Sequence, residues 1–157
     1  MTRFYDIDAA NAAVPELDGI VGVLAEQRAE LVRLRDEVLA AGTSAGDGAT
    51  TAVADRSSRP AADSSGETQA ADPPIVDDLR LTRLRMQGLI DQMAAGVARI
   101  DGLGLTLRDI EHGLVDFPAL VAGRQVWLCW QRGEPAIGFW HDLETGFSGR
   151  RPLAELA

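Results

Sequence analysis

The chain has 157 residues, a net charge of −9, 46% apolar residues and one cysteine. That length fits a single domain, the lone cysteine excludes an internal disulfide framework, and the acidic balance, with every cation an arginine, weighs against a nucleic-acid partner. No window approaches 18 uninterrupted apolar residues, and Asp6 and Asp8 fall where a signal peptide needs a cationic region followed by an apolar run, so a cytoplasmic protein with no membrane partner is expected.

Phe4-Tyr5-Asp6-Ile7-Asp8 reads as a helix start. Asp6 can accept from the free N–H groups of the first turn, and Asp8 suits the positive end of the helix dipole. Ala13, Leu17, Ile20, Leu24, Leu31, Leu34 and Val38 then recur at steps of three and four, with Gln27 the one polar residue in the series, broadened by Val14, Val21 and Val32. Pro15 removes a backbone donor and predicts a kink or restart. Ala41-Gly42 suits a left-handed cap. A helix is therefore predicted over 8–41, within a first segment of 1–42.

From Thr43 to Asp72 the chain is built mainly from Ala, Ser, Thr, Gly, Asp and Pro, with Val53 the sole large aliphatic. Such a segment cannot bury enough to offset its ordering entropy, so 43–72 is predicted to be a disordered linker. Pro73-Pro74 opens a second helix over 73–102, proline being tolerated at the first turn. Val76, Leu79, Met86, Ile90, Met93, Val97 and Ile100 carry its apolar stripe. Gly88 and Gly96 could let a neighbouring helix approach closely, and Arg80, Arg83 and Arg85 read as a solvated face. Two successive helices of this length predict an antiparallel hairpin about 40–50 Å long at about 1.5 Å per residue. Leu81 and Leu84 lie off the seam, which calls for a further cover, either the rest of the chain, a second copy or a helical partner.

The segment 103–157 holds all three tryptophans, the cysteine and both histidines. Leu105 to Ile110 alternates as a half-buried strand does. Glu111-His112-Gly113 bends the chain into Leu114-Val115-Asp116-Phe117-Pro118, and Ala122-Gly123 is a turn. Gln125–Trp130 and Ala136–His141, separated by Arg132-Gly133-Glu134-Pro135, read as a β-hairpin. If Trp130 pairs with Ala136, Trp127 faces Phe139, Gln125 faces His141, and Val126 faces Trp140 on the other surface. Both surfaces are apolar and predict cover on each side. The fold class is thus α+β: a long, coiled-coil-like antiparallel two-helix hairpin packed with a small C-terminal antiparallel β lobe as one domain.

Gly113-Leu114-Val115-Asp116-Phe117-Pro118, Gly123-Arg124, Leu128-Cys129-Trp130, Gly133-Glu134-Pro135 and Ile137-Gly138-Phe139-Trp140-His141 resemble the bacterial domain of unknown function 2203 family. Gly146-Phe147 and Gly149-Arg150-Arg151-Pro152-Leu153 continue the resemblance, as do Asp8-Ala9-Ala10-Asn11-Ala12 and Pro15-Glu16-Leu17. The chain departs from the family pattern in its long linker and in Asp6, where the family commonly carries threonine. The resemblance implies no established activity and supplies no catalytic residues or cofactor.

Site candidates are the polar residues of that string. Asp116, Glu134 and His141 could converge as a catalytic set, and Glu111, Asp116 and His141 could ligate a divalent metal, histidine being basic near neutrality. Arg124 and Arg150 add charge nearby, whereas His112 lies outside the string. No H-x-H, H-E-x-x-H or paired CxxC spacing is present, and charges beside an apolar hairpin commonly act as ion pairs and turn caps. Cys129, between Leu128 and Trp130, reads as a buried, inert thiol. The tryptophans read as core, Gly102-Leu103-Gly104 lacks the setting of a phosphate loop, and Ser148 has no inferable base. Two functions follow. One is a non-enzymatic interaction or self-association module using the helical hairpin. The alternative is a small metal- or ligand-binding enzyme with its carboxylate and histidine site in the lobe.

Overall fold

A computed structural model describes residues 3–46 and 74–156. Helix α1 spans Ile7–Gly46 and α2 Pro74–Gly102; strands follow at Thr106–Asp109 (β1), Leu114–Val121 (β2), Arg124–Gln131 (β3), Phe139–His141 (β4) and Arg151–Pro152 (β5). The strands form one antiparallel sheet in the order β1-β2-β3-β4-β5. The fold is α+β, as the periodicities predicted.

Asp6 caps α1: its carboxylate accepts from the Ala9 N–H at 2.7 Å and its carbonyl from the Ala10 N–H. The helix then runs unbroken through Pro15 and Gly42, so neither the expected restart nor the expected cap occurs at those residues. Gly42 meets no pressure to adopt a left-handed turn, because the helix simply continues to Gly46. Residues 43–46, predicted to begin the linker, are instead the last turn of α1, and the remainder of the predicted linker lies outside the described residues.

The helices pair antiparallel, as Glu16 with Arg99, Gln27 with Gln92 and Glu30 with Arg85 make plain. Gly96 permits close approach: a Cβ there would stand 2.8 Å from Leu24 Cδ2, whereas Gly88 faces open space. Ala10, Val14, Leu17, Val21 and Leu24 of α1 lie on one side of the helix and bury against the sheet. Val115, Phe117 and Ala119 of β2, Val126, Leu128 and Trp130 of β3, and Trp140 of β4 meet them there. These positions alternate along each strand, as the pleat requires. Trp130 and Trp140 are core residues, and Trp127 sits on the opposite face, half-buried.

β2 and β3 make the longest pairing, Leu114 opposite Gln131 through Val121 opposite Arg124. Ala122 (φ 51°) and Gly123 (φ 75°) form a two-residue turn with both residues left-handed, the geometry that suits strand twist. Pro118 belongs to this strand without costing it a ladder bond. It lies beyond the residues that β1 pairs, and its carbonyl faces the N-terminal segment, accepting from the Tyr5 N–H at 2.7 Å.

The register predicted for the second hairpin needs correction by two residues. Trp127 opposes His141, Leu128 opposes Trp140 and Cys129 opposes Phe139. In the observed turn the Glu134 carboxylate accepts from the Gln131 N–H at 2.8 Å, and its carbonyl accepts from the Trp130 indole at 2.9 Å. Ile137 then leaves the ladder, buries in the core, and donates its N–H to Asn11 of α1 at 2.7 Å. An even shift preserves which face each residue uses, so the alternation survives while the neighbours change.

Candidate metal centre

Strand register builds the site on the face of the sheet turned away from the helices. Asp116 lies directly opposite Cys129, and His141 opposite Trp127, two residues before Cys129 on the same face. Asp116, Cys129 and His141 are each about 1% exposed. A carboxylate oxygen, the thiol sulfur and an imidazole nitrogen from these residues all lie within 4.8 Å of one another. Leu143, Gly146 and Phe147, from the segment after β4, roof a cavity of about 220 Å³ into which the three residues face.

The imidazole is oriented from behind. His141 Nδ1 is 2.8 Å from the Asp142 backbone carbonyl; a carbonyl only accepts, which assigns a proton to Nδ1 and, in the neutral ring, a lone pair to Nε2. Nε2 stands 3.1 Å from Asp116 Oδ2 without the alignment of an N–H···O bond, and it has no hydrogen-bond partner among the described residues. Asp116 Oδ1 is likewise buried and without one. Oδ2 accepts from Arg108 Nε at 2.7 Å. Arg108 is the additional residue of a β-bulge, since Leu107 pairs with Val115 and Asp109 with Leu114. The bulge aims the arginine across the sheet, over the Trp127 ring at 5.1 Å.

Burial, followed by the neighbouring Asp116 charge, pushes the Cys129 thiol up to about 12. The metal-free thiol is therefore protonated at neutral pH, and only a bound cation would draw it into the thiolate form.

Of the residues expected to act together, Asp116 and His141 do meet. Glu134 does not join them: it pairs with Arg150 at 2.7 Å and closes the β3–β4 turn. Glu111 is exposed and pairs with Arg28 of α1, so it stands outside the cluster. Arg124 lies 3.4 Å from Asp142, and Arg150 stacks on Phe139. His112 turns to Asp109, whose carboxyl is held below its usual range chiefly by the His112 backbone N–H. Cys129 and Arg108 are the residues that sequence reasoning missed in the site. Cys129 is buried as expected, but it stands beside two polar groups rather than in an apolar wall.

Among the described residues, no helix is long and apolar enough to cross a membrane. No curated protein and no solved structure matches the chain. Residues 3–153 match the family described as uncharacterized conserved protein (DUF2203), which takes in both helices, the site and the roofing segment. With the match extending over nearly its whole length, the chain belongs to that family.

Proposed function

We propose that the β lobe binds a divalent transition metal of the zinc class through Asp116, Cys129 and His141. One observation carries this reading: two electron-pair donors, His141 Nε2 and Asp116 Oδ2, stand 3.1 Å apart in a buried site with no aligned hydrogen bond between them. Donors sharing a tetrahedral ion at about 2.0–2.1 Å stand about 3.3 Å from each other, so little movement is needed. A mixed sulfur, nitrogen and oxygen set favours zinc or cobalt over magnesium or calcium. The Asp142 carbonyl behind Nδ1 is the outer partner that metal-bound histidines use to fix ring orientation. Three protein ligands beside a cavity leave a fourth position for an exchangeable group. Calorimetric titration of chelator-treated full chain with zinc chloride tests the reading. Uptake of one equivalent is expected, weakened at least about 100-fold in His141→Ala; absence of saturable uptake by the parent chain would overturn it.

A second reading, self-association through the hairpin, is favoured by a separate feature. Among the described residues of α2, none from Asp77 to Arg99 is buried, while Leu81 and Leu84 are 64% and 62% exposed. A second copy laid antiparallel would cover these leucines as in a four-helix bundle. Light scattering should then give a dimer that dissociates in Leu81→Asp/Leu84→Asp. A parent chain that is monomeric across the concentration range would exclude it.

A further inference from the structure

We infer that the cavity beside the cluster takes a small monoanionic carboxylate, bound between the open position of the metal and the Arg108 guanidinium. The inference rests on the metal reading above and extends it to the ligand. Arg108 lines the same cavity as Asp116, Cys129 and His141, and its Nε donates to the one carboxylate oxygen that faces the imidazole.

Charge fixes the sign of the ligand. Once the ion shares Asp116, the guanidinium loses much of its counter-charge and becomes the cation of the chamber. Glu144 also lines the cavity, but it is an exposed residue of the roofing segment. Arg108 itself is about half-exposed, so it can swing from Asp116 toward an incoming anion without stranding a buried charge. A planar guanidinium matches a carboxylate in a two-point contact, which places one ligand oxygen for the metal.

Size limits the choice. A volume near 220 Å³ corresponds to on the order of seven waters at about 30 Å³ each, enough for an acetate-sized anion and its first waters but not for a nucleotide. Phe147 and Leu143 on the roof, with Leu114 below, supply an apolar lining for a short alkyl group.

Cobalt-substituted full chain, titrated with sodium acetate and followed by the visible ligand-field bands, tests this. A saturable spectral change is expected in the parent. In Arg108→Met, the thiolate-to-cobalt charge-transfer band should persist while acetate binding weakens about 10–100-fold, the range of a lost charge-assisted contact. Glu144→Gln supplies an independent arm, with acetate binding unchanged or tighter. A cobalt-loaded parent whose bands ignore acetate, or an Arg108→Met variant that binds acetate as the parent does, overturns the inference while leaving the metal site standing. A chain that shows no charge-transfer band overturns both.

Discussion

Asp116→Asn should abolish stabilisation by zinc while leaving the metal-free fold within about 1 kcal/mol of the parent, the size of one hydrogen bond. Asparagine preserves the shape of the side chain, and none of the groups around it becomes a stranded charge. The Arg108 side chain is 46% exposed and can return to water. His141 keeps its Nδ1 bond to the Asp142 carbonyl, and Oδ1 has no partner to lose. In the parent, zinc at one hundred times its dissociation constant adds about 2.7 kcal/mol to unfolding, because it binds the folded site. Urea denaturation with chelator and with zinc measures both quantities in one experiment. If the cluster were instead a buried ion pair alone, removing one partner would cost about 3–5 kcal/mol, and zinc would leave the parent unchanged.

Gly113→Ala carries the second large effect, on stability. Gly113 has φ +66°, and a Cβ there would lie 2.5 Å from Arg132 Cβ and 2.9 Å from Val21 Cγ1. The first of these atoms is fixed to the backbone and cannot swing away. The left-handed conformation costs alanine about 1–2 kcal/mol, and overpacking at the seam between α1 and the sheet adds about 1–3 kcal/mol. A loss of about 2–5 kcal/mol is therefore expected in urea denaturation. Gly123→Ala isolates the first contribution, since Gly123 has φ +75° but nothing within 4 Å of its added Cβ; it should cost only about 1–2 kcal/mol. Equal losses at the two positions would refute the steric argument.

The helices were legible because their signals are local. Asp6 before the first turn, Pro74 within it and the recurring aliphatics of α1 each act over one or two turns. Asp116 and His141 were legible as types of residue, since a carboxylate and an imidazole in an apolar lobe stand out whatever their partners. Their meeting with Cys129 was not. It depends on β2 pairing with β3 across Ala122-Gly123, and on β4 sliding two residues relative to a tight hairpin. With the tighter register, His141 would oppose Gln125; the observed one sets it opposite Trp127, beside Cys129. The slide follows from Ile137 leaving the ladder for the core and from its bond to Asn11, a contact across 126 residues of chain. Nothing in the local pattern Gly133-Glu134-Pro135 encodes that. Arg108 was hidden for a similar reason, because a bulge is a property of two strands together.

The metal site is tested most directly by anomalous diffraction at the zinc edge from crystals of the zinc-loaded chain. A single peak is expected on the outer face of the sheet, about 2.0–2.2 Å from His141 Nε2 and an Asp116 oxygen and about 2.3 Å from Cys129 Sγ. A crystal grown with zinc in which these three side chains keep their positions and carry no peak between them would contradict it.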